Sequence, residues 1–205
     1  MSRRKKQPGF SPREAARERV RNIMRGMNTT ESVFLGHSKT HAEKIDREFE
    51  RINALMGEDL KAYLTEWLKN SQAAFLGAMQ DFKTRLFAVR TDADAKATKL
   101  MEVIDGHKWD EIKDVVVVAE LELADFDIQV DTVAQETLLA IVEAGAAYEQ
   151  RRECVRVGLH NNWSHEAILT KLRELDSQAA AAALAAAEAA EASEPVAEQE
   201  ETANV

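Results

Sequence analysis

The stretch DEIKDVVVVAELELADFDIQVDTVAQETLLAIV, residues 110–142, decides the fold, because two periodicities compete for it. At alternating spacings of four and three, Ile112, Val116, Ala119, Leu123, Phe126, Val130 and Val133 are all apolar, as a helix with one buried row requires. At period two, Val115, Val117, Ala119, Leu121 and Leu123 line one strand face, and Phe126, Ile128 and Val130 line another after a one-residue slip. The four consecutive valines favour the strand. Pairing the two strand halves would leave only Ala124-Asp125 as a turn, without the Gly or Asn that tight hairpins use. The stretch therefore reads as helix.

On a helix the charges beside this row become informative. With Val116 and Leu123 at position a and Ala119 and Phe126 at position d, Glu120, Glu122 and Asp127 flank the seam. In a parallel pair of identical helices Glu122 would face Asp127, a like-charge contact. The seam is expected to pack instead against an antiparallel helix, a neighbouring helix of the same chain or a basic segment.

The same rhythm runs along the chain on both sides. Ser11, Pro12 and Glu14 form a capping-box signature, with Phe10 placed as a hydrophobic staple, and predict a helix from Pro12 to Arg25 stopped near Gly26. Helical spacing continues through Ile45, Phe49, Ile52, Met56, Leu60, Tyr63 and Trp67, with Gly57 as a dividing point. It goes on through Phe75, Met79, Phe82, Leu86 and Val89. Thr91-Asp92-Ala93-Asp94 resembles a capped restart, and Asp105-Gly106 an end. Beyond Val142 the helix is expected to persist to about Gly158, and Ser164 to cap another carrying Ile168, Leu172 and Leu175. Ala179–Ala192 has high helix propensity but little bulk to bury, and Pro195 ends it before a tail that reads as disordered.

The expected architecture is thus all-α, an elongated bundle of coiled-coil-like helices between a flexible basic N-terminal arm and an Ala/Glu-rich C-terminal tail. The segments are 1–27, the arm and a short capped helix; 28–108, a helical hairpin; 109–178, the acidic helix and a C-terminal helix; and 179–205, the tail.

Charge is unevenly spread over the 205 residues, whose net charge is −9. Residues 1–27 hold nine bases and two acids, 9 − 2 = +7; residues 110–143 hold one base and ten acids, 1 − 10 = −9; residues 176–205 hold seven acids and no base, −7. The acidic total argues against a surface that coats nucleic acid generally. The basic residues Arg3, Arg4, Lys5 and Lys6, with the ladder Arg13, Arg17, Arg21 and Arg25, are the expected contact for an acidic partner. That partner is nucleic acid, a carboxylate-rich protein face or the chain's own acidic helix, or else the ladder is only a solvated face.

Little in the sequence points to catalysis. There is no Gly-rich phosphate loop, and Cys154 has neither a base nor an orienting group assigned to it. His37 and His41 are four apart, and Cys154, His160 and His165 are weak candidates for a zinc site lacking its usual second cysteine. No metal and no cofactor are expected. A single cysteine excludes an intrachain disulfide and suits a reducing compartment, the cytoplasm or the interior of a macromolecular assembly. No apolar run is long enough for a membrane span, and no apolar run follows the basic N-terminus as a secretory signal would require.

The expected function is a non-enzymatic structural or assembly protein that forms homo-oligomers through helical seams and docks on other protein subunits through charged termini. The alternative is an oligomeric nucleic-acid-binding adaptor using the basic arm; the weak third reading is a metal enzyme at Cys154, His160 and His165. Helical scaffolding subunits and small DNA-packaging adaptors of viruses share this outline, as an analogy of composition rather than of motif.

Overall fold

A computed structural model describes residues 11–55 and 57–193, and the described residues form four helices and no strand. They are α1 (Pro12–Asn53), α2 (Glu58–Gly106), α3 (Trp109–His160) and α4 (His165–Ser193). The arm residues Arg3, Arg4, Lys5 and Lys6, the staple residue Phe10, Met56 and the tail from residue 194 lie outside the described residues.

Each break between helices has a local cause. At the start of α1 the expected capping box forms: Ser11 Oγ accepts from the Glu14 N–H at 3.2 Å, and the Glu14 carboxylate accepts from the Ser11 N–H at 3.0 Å. Those bonds hold the Glu14 carboxyl below its ordinary pKa. Gly57 sits at φ 98°, a left-handed conformation that separates α1 from α2. After α3, Asn162 takes φ 55°, and its N–H reaches Leu159 O at 3.2 Å while Trp163 N–H reaches Gly158 O at 2.9 Å. These two bonds close the helix end as a Schellman motif. Ser164 Oγ then accepts from the Ala167 N–H at 3.2 Å and caps α4.

Two expected boundaries are not there. α1 does not stop at Gly26 but runs on to Asn53, 42 residues in all, because Val20, Met27 and Phe34, seven residues apart, are all buried and outweigh the poor helix propensity of one glycine. Nor does the chain restart at Thr91-Asp92. Thr91 donates its hydroxyl to Phe87 O at 2.8 Å, one turn back in an unbroken α2, so it does not act as a cap.

Two-residue and four-residue connections make α2 antiparallel to both α1 and α3, which leaves α1 and α3 parallel. Arg19 meets Glu120 near one end of that parallel pair, and Tyr148 meets Glu48 near the other. At 52 residues α3 is about 78 Å long, so the bundle is elongated.

Its core is a set of seven-residue rows. On α3 the row Val116, Leu123, Val130, Thr137, Arg151 and Gly158 is buried, and a second row, Ala134, Ile141, Tyr148 and Val155, takes over beside it toward the C-terminus. Phe34 of α1 stacks on Phe82 of α2 with ring centroids 3.9 Å apart. Of the four valines, Val116 alone turns inward, and Val115, Val117 and Val118 are exposed. A strand face would have buried Val115, Val117 and Leu121 together; their exposure excludes that alternative. Ile112, Val116, Leu123, Val130 and Val133 are fully buried and Ala119 and Phe126 half-buried, all within the chain's own core.

Only the first part of α4 packs. Ile168 and Leu172 are fully buried against the bundle, but every side chain from Ala179 to Ala189 is exposed, Leu184 included. High alanine propensity keeps this part helical without tertiary contacts.

Candidate functional site

The arginine ladder is divided by the structure. Arg13 donates to the carbonyl of His107 just past the end of α2, where a cation is favoured by the helix dipole, and Arg17 pairs with Asp105. Arg21 and Arg25 stay on α1 as exposed side chains shared with Glu18. A groove of ≈ 1130 Å³ between α1 and α2 is lined by Arg21, Arg25 and Arg90, but equally by Asp94, Glu102 and Asp105. Arg90 is itself engaged with Asn28 and Glu31. Three bases against three acids give no field of one sign that would hold a phosphate backbone. Arg19, which sequence reasoning passed over, makes the contact between α1 and the acidic helix: its Nε lies 2.9 Å from Glu120 Oε2. The other oxygen, Glu120 Oε1, is buried with no hydrogen-bond partner among the described residues.

The most buried ionic group is one the sequence did not single out. Arg151, 1% exposed, lies over the Trp67 ring at 3.4 Å and donates to Asp176 Oδ1 at 2.6 and 2.9 Å and to Ala147 O at 2.8 Å. Tyr63 donates its hydroxyl to the same carboxylate at 2.8 Å. Burial, reinforced by the bond to Asp176, raises the Tyr63 pKa to about 12. Every polar atom in this cluster is committed to another, so its role is to fasten α4 across α2 and α3 rather than to act on a substrate. Glu48 plays a similar part at the α1–α3 contact, where it accepts from Tyr148 at 3.2 Å and pairs with Arg152 at 3.0 Å. Burial pushes the Tyr148 pKa up as well.

The reactive side chains do not converge. Cys154 and His160 are six residues apart on one helix and so point about 120° away from each other, and His165 opens the next helix beside Gly57. Among the described residues no group of three or more His, Cys, Asp or Glu side chains could hold a metal ion, so the weak zinc candidate at Cys154, His160 and His165 is not assembled. Burial raises the Cys154 pKa, the opposite of what a nucleophile needs. His37 is exposed, and His41 lies tilted against Phe75 with ring centroids 5.0 Å apart. No helix among the described residues is long and apolar enough to cross a membrane.

What the structure does present is a second apolar row, on the outside of α3. Val117, Leu121, Ile128, Leu139 and Val142 are 52% to 65% exposed and fall on one side of the helix, opposite the buried row. The row is about 37 Å long. Exposed acids border it: Asp114, Asp125, Asp131 and Glu143 make no ion pair with any described residue. The acids nearer the bundle are neutralised, Glu122 by Lys96, Glu120 by Arg19 and Glu136 by Arg85. Between Lys113 and Arg151 the sequence contains no Lys or Arg. Burial, and then the neighbouring Asp131 charge, raise the Asp127 pKa, as expected in a strongly anionic strip. The row ends at a slot of ≈ 300 Å³ among α1, α2 and α3, bounded by the apolar Ile45, Leu68, Ile141 and Val142 and by the charged Lys44, Glu48 and Glu149, with Gly145 at its mouth. A side chain on Gly145 would meet nothing within 4 Å, so the slot is open there.

Val117, Leu121 and Ile128 are apolar at helical spacing in the sequence, but the stronger inner row beside them dominates the pattern. No family model, curated protein or solved structure matches the chain, so the reading of this surface stands on its geometry and chemistry.

Proposed function

We propose that this chain is a non-catalytic assembly protein, a rigid helical rod that docks on other protein subunits through the outer face of α3. The observation that carries the proposal is the set of exposed apolar side chains turned away from the chain's own core, Val117, Leu121 and Ile128 in one group and, beyond the polar Asp131, Thr132 and Gln135, Leu139 and Val142 in a second. A run of exposed large apolar side chains on one helix face marks an interaction surface. The seam from Ile112 to Val133, which the sequence offers as an interface or core seam, is occupied inside the chain. Association with further subunits therefore falls to the second row. The committed polar clusters and the raised Cys154 pKa support a role without catalysis.

A photo-cross-linking residue placed at position 121 or 128, with position 76 on α2 as reference, tests this in the cells that make the protein. Discrete adducts at 121 and 128 but not at 76 are expected. No adducts, or the same adducts at all three positions, would overturn the reading.

The nucleic-acid alternative is supported by the exposure of Arg21 and Arg25 and by the sequence of residues 1–10, and it is weakened by the engagement of Arg13 and Arg17. Its test is a binding series in salt on a chain lacking residues 1–10. Removing residues 1–27 instead would delete the buried Ala16, Val20 and Met27 and damage the fold itself.

A further inference from the structure

We propose that the occupant of the outer face of α3 is a basic amphipathic helix of another protein, with Leu or Ile along one side and Lys or Arg beside them. The inference rests on the docking role proposed above and adds the chemistry of the partner. Three candidate occupants meet different fates on this surface. A second copy of α3 brings the same apolar row, but the strip from Asp114 to Gln150 has no base and only Lys113 lies at its edge, so overlaying two such rows sets mostly acidic border against acidic border. The chain's own arm has the right sign in Arg3, Arg4, Lys5 and Lys6, yet it has no large apolar residue between Met1 and Phe10 and cannot cover five apolar side chains. A helix that is both basic and apolar satisfies the row and its borders together.

The placement of the charges shows what such a helix would touch. The acids facing α1 and α2 are already matched by Arg19, Lys96 and Arg85, so the charge left over is on the outward edges at Asp114, Asp125, Asp131 and Glu143. Asp125 and Asp131 flank Ile128, the middle of the row. Cations beside the apolar stripe of the partner would meet these carboxylates, steering its approach and fixing its register. The slot at Gly145 offers one bulky side chain of that helix a place at the end of the row, the kind of pocket where anchoring side chains concentrate binding energy.

The probe is a fluorescently labelled helical peptide of about 25 residues, long enough to span the row, with Leu at core positions and Lys and Arg beside them. A companion peptide replaces its bases with Glu. Binding is read by anisotropy on the whole chain, at low and high salt. The basic peptide is expected to bind, more weakly at high salt, and the Glu peptide not to bind. The double variant Leu121→Ser/Ile128→Ser, which leaves the charge unchanged, is expected to weaken binding at least about tenfold. Because both positions are exposed, its melting temperature should match that of the parent; Val117→Ser/Leu139→Ser is the second variant and should behave alike. Equal binding of the two peptides, or binding unaffected by both variants, overturns the proposal. So does self-association of the parent chain through this row, seen as a mass by light scattering that falls to the monomer in the variants. Cross-links at 121 and 128 with no preference for the basic peptide would reject the partner's chemistry and leave the docking role standing; absence of both would reject the two together.

Discussion

Removing the carboxylate of Asp176 should release α4 while leaving the rest of the bundle folded. Arg151 is closed off from solvent, and Asp176 receives two of its three hydrogen bonds as well as that of Tyr63. Taking one partner from a buried pair leaves an uncompensated charge, a loss of 3–5 kcal/mol at typical sites. The side chain of Asp176 is 35% exposed, so water reaches part of the site and the lower end, about 3 kcal/mol, is expected for Asp176→Ala. That is roughly a hundredfold shift in the docking equilibrium of a helix whose fully buried side chains, among the described residues, are Ile168 and Leu172. Native-state hydrogen exchange is the direct assay. Amide protection across residues 165–178 should fall by about this factor, while amides around Leu123 keep theirs. The double variant Arg151→Met/Asp176→Leu removes both charges and keeps an apolar side chain over Trp67, so it should recover most of the loss. Unchanged exchange in Asp176→Ala, or an equal loss of protection in both regions, would refute the view of this pair as the fastening of α4.

Other consequences are as specific. Gly158→Ala should destabilise by about 1–3 kcal/mol in urea, because the new Cβ would lie 2.6 Å from Ile168 Cγ1 and 3.1 Å from Trp163 Cε3; the overpacking exceeds the helix-propensity gain of about 1 kcal/mol. Both tyrosines of the chain have raised pKa values, so tyrosinate absorbance should not develop near the ordinary value of about 10. Since Tyr63 must stay protonated in the fold, its contribution to stability is complete below its unfolded pKa and lost as pH rises through about 12; alkaline melting curves should show that decline and Tyr63→Phe should reduce it. Cys154, whose pKa burial raises, should react with iodoacetamide more slowly at neutral pH in the native chain than in urea at the same pH.

Much of this fold was readable because helix signals are local. Ser11, Pro12 and Glu14 lie within one turn, Gly57 breaks the chain by its own φ, and a seven-residue row needs no knowledge of its neighbour to be seen. Gly26 and Thr91-Asp92 misled for the complementary reason: local signals for a stop were overruled by packing against helices far away in sequence. Arg151 and Asp176 are 25 residues apart and each looks like an ordinary surface charge until the turn at 161–164 brings them together. The ladder, too, reads as one face in sequence, yet the end of α2 takes up Arg13 and Arg17 and leaves Arg21 and Arg25 outside.

The seven-residue spacing of the buried row from Val116 to Gly158 has a consequence for how the gene can change length. Deleting one codon inside α3 would turn everything beyond it by about 100°, withdrawing the greasy side chains that follow from the interior and carrying carboxylates toward it. Losing or gaining seven codons restores nearly the same phase. Within the packed residues 12–178, insertions of arbitrary size should be tolerated only at the three bends, residues 54–57, 107–108 and 161–164, and a tag or reporter placed in this part belongs there rather than along the packed shafts.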